Sequence, residues 1–134
     1  MRAVGGILLA LALAGCASVQ QSACPAGQER LKTAQLFFGQ QIDGKPTVSD
    51  ADFHRFVEDE LTPRFPDGLT VLNADGQWRA SGNPLVRDAS KVVLIVLPKG
   101  RDVSGRLEAV RNAYKARFHQ EAVLLVTQAT CVSL

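Results

Sequence analysis

Residues 62–79, TPRFPDGLTVLNADGQWR, decide how the chain is laid out. Pro63 cannot continue a helix, because it lacks an N–H and its ring clashes with the preceding turn. Any helix upstream therefore ends near Leu61. Phe65-Pro66-Asp67-Gly68 is turn chemistry, with φ preset by proline and a positive φ accepted by glycine. Residues 69–72 then read as strand. Residues 73–76 resemble a hairpin tip, yet residues 77–80 are extended in character and Ser81-Gly82-Asn83-Pro84 is a stronger turn. The expectation is one long strand with a bulge or kink at 73–76.

Working upstream, Ser49 followed by Asp50 and Asp52 is a helix start, with a hydroxyl for the orphan N–H groups and acids at the positive end of the dipole. Phe53, Phe56, Val57 and Leu61 mark its apolar face. Residues 31–39 form a strand with apolar side chains on both faces, followed by a loop containing Asp43-Gly44 and Pro46. Downstream, the return strand starts near Leu85 and includes the apolar run VVLIVLP at 92–98, which suits a central strand. After a charged loop, Asp102 or Ser104 caps a second helix over 106–118, striped by Leu107, Val110, Tyr114 and Phe118. His119 falls where a helix C-terminus favours a cation. Residues 122–130 form the last strand.

The order strand, helix, strand, strand, helix, strand predicts an α+β, ferredoxin-like βαββαβ domain: a four-stranded antiparallel sheet with two helices on one face. Right-handed crossovers place the first and third strands in the centre. Phe37 or Phe38, Leu72, Ile95 and Leu125 cannot all face the helices, since neighbours of opposite parity are also apolar. A broad apolar face without a lid implies a partner or ligand.

The chain has 134 residues, enough for one domain, with 46% hydrophobic and 21% charged residues. Residues 1–15 read as an export signal: Arg2, a short apolar stretch, then small residues. The end of that signal, Leu13-Ala14-Gly15-Cys16, looks like a bacterial lipobox, in which Cys16 becomes lipidated after cleavage; the alternative is an ordinary export signal with an incidental cysteine. Several acyl chains on one residue anchor a protein stably to a membrane. Ala17, rather than Asp, favours the outer membrane by likeness to known lipoproteins. Residues 16–30 then form a tether and 31–134 the domain. Loss of Arg2 leaves a formal charge of about +1, poor ground for nucleic-acid binding. Cys24 and Cys131 remain as a pair, for which an oxidising compartment makes a disulfide the default over free thiols or a redox pair. The predicted topology brings the two to one sheet edge. Two cysteines are too few for a structural zinc site, and no cofactor-binding motif is present.

Candidates for chemistry are sparse. There is no Gly-x-Ser-x-Gly motif and no phosphate loop. His54 and Glu58 stand at i, i+4 and share a helix face, either as acid–base or metal partners or as a solvated edge. Arg64, Asp67, Trp78, Arg79, Arg87 and Lys91 gather around the long hairpin. Arg64, Trp78 and Arg79 are the candidate binding residues; against this, Trp78 plugs the core and Arg64 pairs with Asp67 to fix the turn. Trp78 and Arg79, being adjacent, point to opposite faces of a strand.

TPRFPDGLTVL at 62–72, GQWR at 76–79, TAQLFFG at 33–39, VRDASKVVLIVLP at 86–98 and YKARFHQEAVL at 114–124 resemble a bacterial family of small exported lipoproteins known as domain of unknown function 3574. The resemblance runs from about Lys32 to the C-terminus. It implies the domain extent and the lipid anchor, and no activity. The functional expectation is a non-catalytic envelope module that takes a protein, a small molecule or a second copy on its open sheet face. The alternative is a small enzyme of the dimeric α/β-barrel type, with that face as substrate pocket and Arg79 or His54 contributing.

Overall fold

The computed structural model describes residues 23–133 apart from 80, 83, 84 and 101. The export segment, Cys16 and the Asn83-Pro84 half of the hairpin turn lie outside these residues.

Strand β1 (Glu29–Gly39) begins two residues before the expected Leu31 and is followed by a small hairpin, β2 (Gln41–Ile42) and β3 (Lys45–Pro46). Helix α1 (Asp50–Phe56) starts on Ser49, whose Oγ accepts the Asp52 N–H at 3.1 Å. It does not continue as α-helix to its end. Residues Val57–Leu61 form a π-turn, closed by the Thr62 N–H donating to the Val57 carbonyl at 2.9 Å. The apolar spacing explains this turn. Phe56 and Leu61 would stand about 140° apart on a regular α-helix. The wider turn carries both onto one face, where both are fully buried. The chain then reverses through the expected 65–68 turn, with Gly68 at φ 127°.

Strands β4 (Thr70–Arg79) and β5 (Leu85–Leu97) pair in unbroken register, from Thr70↔Leu94 to Arg79↔Leu85. The bulge expected at 73–76 is therefore absent. Asn73 turns toward the helices and accepts from Lys91 Nζ at 2.6 Å, while Gly76 lies directly opposite Asp88. Helix α2 (Val103–Phe118) starts at residue 103 rather than 106. Asp102 occupies the cap position, but with φ 68° its side chain makes no capping bond, contrary to expectation. Strand β6 (Leu124–Val132) closes the sheet in the order β4-β5-β1-β6, so β1 and β5 are central as predicted.

Ala34, Leu36 and Phe38 of β1 and Val93, Ile95 and Leu97 of β5 form the floor of the core. Both helices close over it with Phe53, Phe56, Leu107, Val110 and Tyr114. Tyr114 is the hub: its ring centroid is 4.7 Å from that of Phe38, 5.0 Å from Phe56 and 4.8 Å from Phe118. Its hydroxyl donates to the Gly39 carbonyl at 2.7 Å. Cys24 and Cys131 form a disulfide, with Cα atoms 5.5 Å apart. Pairing of Arg30 with Cys131 and a turn at 25–28 bring the first cysteine back to the edge strand. Among the described residues, no helix is long and apolar enough to cross a membrane.

Candidate functional site

Strand alternation divides the sheet into two faces. Phe38, Ile95 and Leu125 pack toward the helices while Phe37 and Leu72 lie on the opposite face, so, as expected, these apolar residues do not all face the helices. The helix-free face is built from the opposite parity, and cross-strand pairing arranges it in rows. One row is Thr33, Val96 and Gln128; the next is Thr70, Leu94, Gln35 and Val126; the third is Leu72, Val92, Phe37 and Leu124. None of these side chains is charged. Leu72 is 50% exposed, Leu124 59% and Val126 41%. A solvated antiparallel sheet normally presents polar and charged residues on its outer face.

Beyond Gly39 the central strand stops, and the β4–β5 hairpin runs on as a two-stranded ribbon. A cleft of about 550 Å³ opens where this ribbon meets the β2–β3 turn and the loop leaving α2. Trp78, Val86 and Asp88 come from the ribbon, Asp43 from the turn, and His119, Gln120 and Glu121 from the loop. Trp78 is 49% exposed, so it does not plug the core. Asp88 sits deeper, beside the end of β1. A Cβ on Gly39 would stand only 3.1 Å from the Asp88 carboxylate and 3.2 Å from the Gln120 side-chain oxygen, so glycine makes room for both. Asp88 Oδ1 is sealed from solvent and has no hydrogen-bond partner among the described residues.

Burial pushes the Asp88 carboxyl above its ordinary pKa. The phenol of Tyr114 is also pushed up, first by burial and then by the charge of Asp88. The consequence for stability has a definite sign. A carboxyl whose folded pKa is raised favours the folded state when protonated and opposes it when ionised. The penalty grows as pH rises through the unfolded value and is complete above the folded one. Asp88→Asn, which resembles the protonated form, should therefore raise the urea midpoint at pH 7 and leave it unchanged below about pH 4. Equal midpoints at pH 7 would contradict the desolvation of the half-buried Asp88 carboxyl.

The sequence candidates do not converge on this cleft. Arg64 pairs with Glu60 at 2.7 Å, not with Asp67. Its carbonyl accepts from Arg106 near the start of α2, whereas Trp78 shares the cleft with His119 at the opposite end of that helix. Arg79 is exposed and, one residue on from Trp78, has the other strand parity. Arg87 donates to Gln77, and Lys91 is buried against Asp50 at 2.7 Å and Asn73. This lysine, first by its hydrogen bond, holds the Asp50 carboxyl below its usual range. His54 and Glu58 are exposed on α1 and the π-turn. Among the described residues, no three His, Cys, Asp or Glu side chains gather as a metal set. Asp88 is not among the sequence candidates, although one signal is present: it is the single acid on the strand parity shared with Val86, Ser90, Val92, Leu94 and Val96.

Solved structures that share this architecture include two of a phage SAM lyase. A phage SAM lyase in complex with S-methyl-5'-thioadenosine superposes with a TM-score of 0.60 at 16% identity, covering 86% of this chain and 96% of that one. A phage SAM lyase in the apo state gives 0.59 at 20% identity, covering 78% and 90%. At these identities the likeness is one of fold. No curated protein matches the chain. A family model described as protein of unknown function (DUF3574) matches residues 33–134, which include all six strands but the first residues of β1, both helices and the whole cleft, and the chain belongs to that family.

Proposed function

We propose that this chain is a non-catalytic binding domain of the bacterial envelope, anchored by a lipid on Cys16, most naturally to the outer membrane facing the periplasm, and docked through its helix-free sheet face against a second copy of itself. The three uncharged rows carry the reading. In a two-fold interface residue i meets j and j meets i, so a charge on the face would be buried against whatever uncharged residue it meets, or against its own image near the axis. A face free of charge meets itself without that penalty and buries Leu72, Leu124 and Val126. The Cys24–Cys131 disulfide supports export, because such links persist in oxidising compartments.

A lipid-free form starting at residue 17 should sediment as a dimer. Leu124→Arg, at a site too exposed to disturb the fold, should weaken that dimer by more than about 2 kcal/mol, since it buries an unpaired charge. A monomeric parent protein would overturn the self-association. Palmitate labelling that survives Cys16→Ala would remove the anchor.

The likeness to a phage SAM lyase favours a second reading, a small enzyme that uses the same face and the adjoining cleft as a substrate pocket. Incubation with S-adenosylmethionine separates the two. A binding domain leaves it intact, whereas release of S-methyl-5'-thioadenosine at a rate lost in Asp88→Asn would replace the first reading by the second.

A further inference from the structure

The cleft lies beyond the end of β1, outside the three uncharged rows, so its chemistry stands apart from self-association. It combines a wall, a floor and a sign of charge. The wall is Trp78, whose half-exposed ring is the large aromatic surface facing the opening. The floor is Asp88, a half-buried carboxylate that lines the cleft while its Oδ1 is turned into the protein, unpartnered among the described residues. Asp43 and Glu121 line the rim with His119, and among the described residues no lysine or arginine lines the cleft.

These features select a ligand class. An anion would meet three carboxylates against the single imidazole of His119 among the described residues. A bare metal ion would require ligands gathered around one point, and the described residues offer no such group. An organic cation with apolar substituents matches each part, because its charge compensates the carboxylate while its alkyl groups cover the indole, which attracts cations through its π face. A volume of about 550 Å³ holds a small organic molecule. We propose that the cleft binds a small alkylated ammonium ion, its charge toward Asp88 and its methyl or methylene groups against Trp78.

Trp78 is the only tryptophan of the chain, so its fluorescence reports the cleft directly. The probe is choline, with the neutral isostere 3,3-dimethylbutan-1-ol as its partner, titrated into the full mature protein. Choline should give a saturable change in emission, and the alcohol should bind about tenfold more weakly or worse. Asp88→Asn should bring choline down to the level of the alcohol while leaving the alcohol unchanged. This variant keeps the shape of the side chain and removes a destabilising charge, so it is expected to fold. Calorimetry on Trp78→Ala should show no choline binding. Equal affinity for the two probes, undiminished choline binding by Asp88→Asn, or no saturable response to choline would each overturn the proposal.

Discussion

Replacing Cys24 and Cys131 together by alanine is expected to lower the unfolding free energy by up to about 4–5 kcal/mol. The two cysteines are separated by 107 residues, so the disulfide closes almost the entire domain into one loop. In the chain-entropy account the stabilisation comes from the unfolded state, which loses more conformations the longer the closed loop. The loss should have a location as well as a size. Strand β6 is an edge strand paired only with β1, and its outer side chains are mostly exposed. Without the covalent tie, residues 129–132 should exchange amide hydrogens faster than β1 and β5, which are paired on both sides. Urea unfolding of the double variant beside the oxidised parent measures the size, and hydrogen exchange measures the location. A change below about 1 kcal/mol would mean that β6 is held by its ladder and by Val123 and Leu125 alone.

What could be read from the sequence follows the range of the forces involved. The Ser49 cap, the Pro63 stop and the 65–68 turn are local backbone chemistry, visible in a few residues, and each appears where the sequence places it. Strand order follows from chirality and connection length, and the cysteine pair gave an independent constraint on it. Which of Phe37 and Phe38, and which of Leu72, Ile95 and Leu125, faces the helices stays open in the sequence, because continuous apolar runs carry no alternation to fix the parity. The π-turn was hidden for another reason: Phe53, Phe56, Val57 and Leu61 look like an α-helical stripe, and only burial of Phe56 with Leu61 reveals the extra residue in the turn.

The cleft was the least legible feature. Its residues come from three segments, around 43, 78–88 and 119–121, joined only by the fold. Trp78, a candidate binding residue from its place in the sequence, does line the cleft. Asp88 is silent in the sequence because a lone aspartate in a strand carries no motif. Its environment depends on Gly39 across the sheet and on Gln120 beyond the second helix, neither of which is a sequence neighbour. Arg64 stands in the sequence as a cation beside a turn, but Glu60 accounts for it one helical turn back.

Tyr114 offers the sharpest separation of packing from hydrogen bonding in this fold. Tyr114→Ala should cost about 3–5 kcal/mol, as expected for removal of a fully buried aromatic ring. The ring sits edge-on to Phe38, Phe53 and Phe56, and no single neighbour can relax into the space without losing its contacts with the others. Tyr114→Phe keeps all of these contacts and removes only the hydroxyl. The Gly39 carbonyl then loses its side-chain donor at the point where β1 ends, which should cost about 1–2 kcal/mol. Urea unfolding of the two variants at one pH decides between the causes. If Tyr114→Phe costs as much as Tyr114→Ala, the hydrogen bond to Gly39 dominates and the aromatic cluster has repacked. If the phenylalanine variant matches the parent, the carbonyl finds another donor. The intermediate value expected here assigns most of the stability to the ring. The remainder belongs to the bond that fixes the last residue of β1 beside Asp88, and with it the floor of the cleft.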